Sequence, residues 1–130
     1  MRFDVDFFFS CFPKLLLKIP YTLYLGLIAF CFAFVLGMIL EICYTSKNKV
    51  IKGAASLYIS YFRSTPYITQ LFIFYFGLPQ IFVFMRGMPA STTLIISLAT
   101  NSSAFIAETI RGGLLSVDKG QKEAALSIGM

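Results

Sequence analysis

Thr93, Ser97, Thr100, Asn101, Ala104 and Glu108 recur at steps of three and four, the spacing that lines side chains up along one face of an α-helix. Ile95, Ile96, Leu98 and Phe105 occupy the other face. Hydroxyls and a carboxamide arranged this way supply hydrogen-bond donors and acceptors, with no fixed charge before Glu108. A second polar group is Arg63-Ser64-Thr65-Pro66, followed by Gln70 one turn beyond the proline and on its face. A proline inside a helix removes a hydrogen bond and clashes with the preceding turn, so a kink is expected at Pro66. Glu108 and Arg111 have the spacing of an ion pair, worth little at an exposed surface. For making and breaking bonds the chain is poorly equipped. It has no His, Cys11, Cys31 and Cys43 lack an activating base, and its few carboxylates form no catalytic pair. The scattered cysteines exclude a zinc cluster or disulfide framework, and no Gly-Lys-Ser/Thr phosphate cradle is present. No catalytic, cofactor-binding or metal-binding residue is expected, and a membrane enzyme is the least favoured class.

The elements that must position these residues are membrane helices. The 130 residues are 58% hydrophobic and 13% charged, against roughly 45–50% and about 25% in ordinary soluble domains. Fifteen Phe and seven Tyr exclude disorder. The net charge of +5 does not indicate nucleic acid, because the charges interrupt long apolar runs instead of covering a face. A spanning helix needs about 20 apolar residues, and the charge-free stretches 19–40, 64–85 and 87–107 qualify. The expected fold is therefore an all-α membrane protein, with helices over 19–42, 54–85 (kinked at Pro66) and 90–113. In the first, Gly26, Ala33 and Gly37 step by seven and four, a face open to close approach by another helix. General glycine enrichment of membrane helices explains the same residues. The polar stripe on the third must face protein or water, because lipid cannot satisfy it. Hydrogen bonding between helices and the lining of a hydrated path both meet that demand. Pro66 and Gln70 likewise fit an irregular, partly hydrated surface, or a kinked packing helix whose Arg63 snorkels to the interface.

Residues 1–18 begin with Asp4 and Asp6 where a basic leader would be expected. Phe7, Phe8, Phe9, Phe12, Leu15, Leu16 and Leu17, with Lys14 and Lys18, read as an interfacial segment ahead of the first span. Lys47, Lys49, Lys52, Arg63, Arg111, Lys119 and Lys122 fall on one side of the three spans. Arg2, Lys14, Lys18 and Arg86 fall on the other. Seven against four places the N-terminus outside and the C-terminal end in the cytoplasm. The last stretch, 117–130, is more polar. Asp118 is a good N-cap, Gln121 has capping-box spacing, and Gly129 closes the short helix. A helix this short is not stable alone in water.

That last stretch resembles a known motif. Gly120-Gln121-Lys122-Glu123-Ala124-Ala125-Leu126-Ser127-Ile128-Gly129 is similar to the EAA loop of ABC-importer permeases: Glu-Ala-Ala, three residues, then Gly. Phe105-Ile106-Ala107-Glu108-Thr109-Ile110-Arg111-Gly112-Gly113 resembles a helix end of the polar-amino-acid branch of these permeases. Phe62-Arg63-Ser64-Thr65-Pro66, Gln70-Leu71-Phe72 and Tyr75-Phe76-Gly77-Leu78-Pro79 are similar to that branch's second helix, and Pro20-Tyr21-Thr22-Leu23-Tyr24-Leu25 to its first-helix entry. Ser64 departs from the family's more frequent Gly. Met130 falls inside the EAA loop, so the chain looks like the N-terminal part of a type I importer permease: a truncated gene, a fragment or an incomplete reading frame.

The resemblance implies a single, incomplete permease domain over 1–130 in a bacterial inner membrane. It implies a second permease subunit, identical or not, a cytoplasmic ABC ATPase dimer that hydrolyses the ATP, and an extracellular or periplasmic solute-binding protein. The cargo would be a polar amino acid, cystine included. Gly120, Glu123, Ala124, Ala125 and Gly129 would form the coupling helix, set in a groove on the ATPase. Gln70, Ser97, Thr100 and Asn101 would lie along the substrate path. The alternative is a small three-helix membrane protein acting by association, an assembly factor or holin-like oligomer, whose polar stripe serves self-packing. An ion channel is less favoured, since no acidic ring or filter-like loop is evident.

Overall fold

The first helix, α1, takes in Val5–Tyr44 in the computed structural model, which describes residues 5–129. At 1.5 Å per residue its 40 residues extend about 60 Å, twice the thickness of a bilayer's hydrocarbon core. Pro13 and Pro20 lie inside it. The part of the 1–18 segment that is described is thus continuous with the helix expected from residue 19. Nothing between the two stretches supplies a cap or turn, and each proline deletes a single backbone bond. Arg2, Asp4 and Met130 lie outside the described residues.

A short turn leads to α2, Lys49–Ser64. The Asn48 side chain caps it, accepting the Val50 N–H at 2.9 Å. α2 stops where Thr65 and Pro66 turn extended, as the residue before a proline is steered away from helical angles. The chain then proceeds in short pieces: α3, Tyr67–Phe72; a π-helical turn, Ile73–Gly77; α4, Leu78–Ile81; and a 3-10 turn, Val83–Met85. The kinked helix expected over 54–85 is therefore a succession of short segments. Pro66 divides it, Pro79 sits in the first turn of α4, and Phe82 is extended. Arg86 closes this stretch, donating from Nε to the Pro79 carbonyl at 2.9 Å and from Nη2 to that of Gln80 at 3.3 Å. Gly87 turns the chain at φ +82°, a conformation that suits glycine. α5, Ala90–Leu115, and α6, Lys119–Ser127, complete the molecule. No strand occurs among the described residues.

α1 packs chiefly along α5, while α2 rests on both and α3 on α5. On α1 the buried face is Ala29, Ala33, Gly37 and Leu40; on α5 it includes Ala99, Ser103, Ala104 and Ala107. Small residues allow this approach. A Cβ added at Gly37 would lie 2.7 Å from Ile106 Cγ2 and 3.1 Å from the Ser103 carbonyl oxygen, whereas one at Gly26 would meet nothing within 4 Å. The expected small-residue face is thus a real contact from Ala29 to Gly37 and stops short of Gly26. At one end Leu40, Ile59 and Ala107 form a core with Leu36, Tyr44 and Tyr58. The outward face of α1 exposes Leu15, Leu17, Leu23, Leu27, Phe30 and Ile42, a surface that water does not tolerate over such a length. Phe7–Tyr44 and Ala90–Leu115 are long and apolar enough to cross a membrane.

Candidate functional site

Pro66 has no N–H, so the Phe62 carbonyl four residues earlier loses its helical donor. The Gln70 carboxamide replaces it, with Nε2 at 3.1 Å from the Phe62 oxygen, 3.2 Å from the Thr65 carbonyl and 2.5 Å from Thr65 Oγ1. Asn101, on α5, donates to the same Phe62 oxygen at 3.3 Å and to Gln70 Oε1 at 2.9 Å. Thr65 in turn donates its hydroxyl to the Tyr61 carbonyl at 2.8 Å. Gln70 is only 1% exposed, so its amide is spent on the break and on the neighbouring helix. Buried polar groups need such partners.

A second set of hydrogen bonds joins α2 and α3 to the same face of α5. Tyr58 donates its hydroxyl to the Thr100 carbonyl at 3.0 Å and lies 3.2 Å from Ser103 Oγ. Ser103 donates to that carbonyl at 2.7 Å. The Tyr67 hydroxyl is 3.2 Å from Ser97 Oγ. The Thr100 hydroxyl turns into its own helix, to Ile96 O at 2.9 Å. Of the four residues expected along a path, Gln70 and Asn101 are bonded to each other. Ser97 meets Tyr67, and Thr100 joins through its backbone. Gln70 and Ser97 are fully buried, while Thr100 and Asn101 keep partial exposure. Sequence reasoning missed Tyr58, Tyr67 and Ser103. The available signal was Tyr58, one turn before Phe62 on a face with Ala55 and Ile59.

Beyond this seam lies a charged cluster. Glu108 accepts from Arg111 Nε at 3.1 Å and from Arg111 Nη2, and it pairs with Arg63 Nη1 at 3.4 Å. Arg63 therefore bonds to α5 as well as reaching outward. Its guanidinium lies 5.9 Å from the centre of the Phe105 ring, while Arg111 and Lys52 approach the Tyr44 ring at 5.6 and 5.5 Å, within cation–π range. These contacts put the ends of α1 and α5 and the start of α2 at one end of the bundle.

α6 follows a short connection at that end. The Asp118 carboxylate accepts the Gly120 N–H at 2.6 Å, and Gly129 ends the segment at φ +83°, as the sequence led one to expect. Glu123, Ala124, Leu126 and Ile128 are exposed; the Ala125 side chain lies outside those described. Among the described residues α6 has no extensive packing against the bundle.

Between α1 and α5 an apolar groove of about 420 Å³ is lined by residues that include Ile28, Phe32, Ile96 and Thr100. Among the described residues no set of side chains could hold a metal ion. The arrangement can hydrogen-bond, pair charges and dock a helix.

Residues 33–130 match the family model described as "Binding-protein-dependent transport system inner membrane component". The chain is 44% identical over 127 residues to "Probable amino-acid permease protein YxeN" of Bacillus subtilis, covering 98% of this chain and 57% of that one. It is 38% identical over 130 residues to "Probable amino-acid ABC transporter permease protein PatM" of Vibrio harveyi, covering 100% of this chain and 58% of that one. A solved structure, "Crystal structure of an amino acid ABC transporter with histidines", superposes with a TM-score of 0.87 at 38% identity, covering all of this chain and 59% of that one. The chain thus spans somewhat over half the length of the proteins it matches. With the fold of an importer permease and a family match over most of its length, the chain belongs to the inner-membrane components of binding-protein-dependent transport systems.

Proposed function

We propose that this chain is the membrane-spanning subunit of an ATP-driven importer for polar amino acids. α6 is its coupling helix and the α3–α5 seam forms part of the wall of the path. The observation that supports the reading best is α6 itself. It is a nine-residue helix, held at both ends by its own sequence and, among the described residues, without extensive contact to the bundle. A helix of this length needs a partner to stabilise it, and a groove on a cytoplasmic ATPase is such a partner. Glu123 makes the polar contact, Ala124 and Ala125 permit close approach, Gly120 opens the segment and Gly129 turns the chain away. Closure of two ATPase subunits on ATP moves this helix, and α5 transmits the movement to the seam. Thr100 and Asn101 face the path, with Gln70 and Ser97 behind them holding the wall. A second permease subunit completes the path and an external binding protein delivers the amino acid.

The chain crosses the inner membrane three times, the broken 67–85 stretch making the middle crossing, with the N-terminus outside and α6 in the cytoplasm. The basic residues at the α1/α5 end support this orientation. The test is reconstitution of the intact permease with its ATPase and binding protein. Glu123→Arg abolishes ATPase association and uptake while the thermal midpoint of the permease stays unchanged. Failure of the unaltered permease to bind any ATPase, or full uptake by the Glu123→Arg protein, would overturn the proposal.

A further inference from the structure

Glu41 stands in the last turn of α1, three residues before its end. The residue is 4% exposed, and neither carboxylate oxygen has a hydrogen-bond partner among the described residues. Its backbone carbonyl is engaged, by the Thr45 N–H and hydroxyl at 3.0 Å each. A buried carboxylate without a partner is costly. The carbonyl end of a helix adds to the cost, since it repels negative charge.

Charge at this end of the bundle is unevenly shared. Two guanidiniums, Arg63 and Arg111, crowd onto Glu108, which is only partly buried, while the more deeply buried Glu41 has none. Yet Glu41 and Arg111 line one cavity of about 220 Å³, together with Tyr44, Thr45, Leu114 and Leu115, and each acts electrostatically on the other.

We propose that Arg111 is a two-position latch, held by Glu108 as seen here and, in a second conformation, by Glu41 across the cavity. The exchange is close to balanced because Arg63 keeps Glu108 paired when Arg111 leaves, and Glu41 then gains a cation. The two positions differ in what they tie together. On Glu108, Arg111 bonds within its own helix, at i and i+3. On Glu41 it fastens the end of α5 to the end of α1. The latch does not depend on the coupling role of α6, although it sits at the end of α5, just before the connection to α6.

The test is a double-mutant cycle on the thermal midpoint of the intact permease, assembled with its partner subunits in lipid nanodiscs. Glu41→Gln keeps the shape and removes the charge. Relative to its effect in an Arg111→Gln background, where the carboxylate is never paired, it is more destabilising when Arg111 is present, and most so in a Glu108→Gln background, where Arg111 depends on Glu41 alone. Additive effects of Glu41→Gln and Arg111→Gln would mean that Glu41 acts without Arg111 and would overturn the latch. A second measurement covers variants that do not assemble. With Cys11, Cys31 and Cys43 replaced by Ser, Thr45→Cys and Leu114→Cys report closure of the cavity by cross-linking. Glu41→Gln lowers the yield by at least about fivefold, the lower end of a typical coupling between sites, and Glu41→Asp retains it. A yield indifferent to Glu41 sinks the proposal.

Discussion

Gln70 is a residue whose type invites one use and whose surroundings give it another. An uncharged amide in a membrane protein of this family suggests contact with cargo, but its Nε2 serves the carbonyl that Pro66 leaves without a donor. Its Oε1 is held by Asn101. Gln70→Leu therefore leaves the Phe62 oxygen with only the longer Asn101 bond and takes the acceptor from the Asn101 amide, and should destabilise the protein by ~1–3 kcal/mol, the penalty of unsatisfied buried polar groups. Thermal unfolding of the intact permease checks this, and Pro66→Ala in the Gln70→Leu background should recover part of the loss by returning an N–H. Asn101→Ala leaves the first bond in place and should produce the smaller stability loss. If Gln70→Leu has no effect on the midpoint, the amide is not supporting the break.

At the scale of elements, α1 and α5 are joined by absence of bulk. Gly37→Leu drives a side chain into Ile106 and toward the Ser103 carbonyl. Overpacking of this kind typically costs ~1–3 kcal/mol. Ile106→Ala should recover part of the lost thermal midpoint, whereas Gly26→Leu, at a site with open space, should leave it unchanged. This contact was legible in the sequence because small residues at helical spacing have few other uses. So were the polar stripe of α5, the Glu108–Arg111 pair, and the caps of α6 at Asp118 and Gly129, since each depends on neighbours within a turn or two. The division of 54–85 was only half legible. Pro66 announced a break, but the π turn at Ile73–Gly77 meets α5 in a contact that no local spacing encodes, and nothing in the spacing announces the extended Phe82. Tyr58 and Tyr67 were missed for the same reason, their partners being 45 and 30 residues away.

For the whole molecule, the contacts of Tyr44 with Lys52 and Arg111 put three helix ends on one side. In a background without native cysteines, Ser46→Cys and Ser116→Cys should be labelled by an impermeant thiol reagent from the same face of the membrane. Met88→Cys should be labelled from the opposite face. Labelling of all three from one side would refute the three-crossing arrangement. The broken stretch also sets a schedule for biosynthesis. Chains emerge N-terminus first at roughly 5–20 residues per second, so the 39 residues from Phe62 to Asn101 take about 2–8 s. During that interval the break rests on Gln70 alone, and the polar groups that α5 will cover have no place in lipid. On the proposed topology the stretch after Pro66 is therefore expected to settle in the bilayer only once α5 has arrived to cover it.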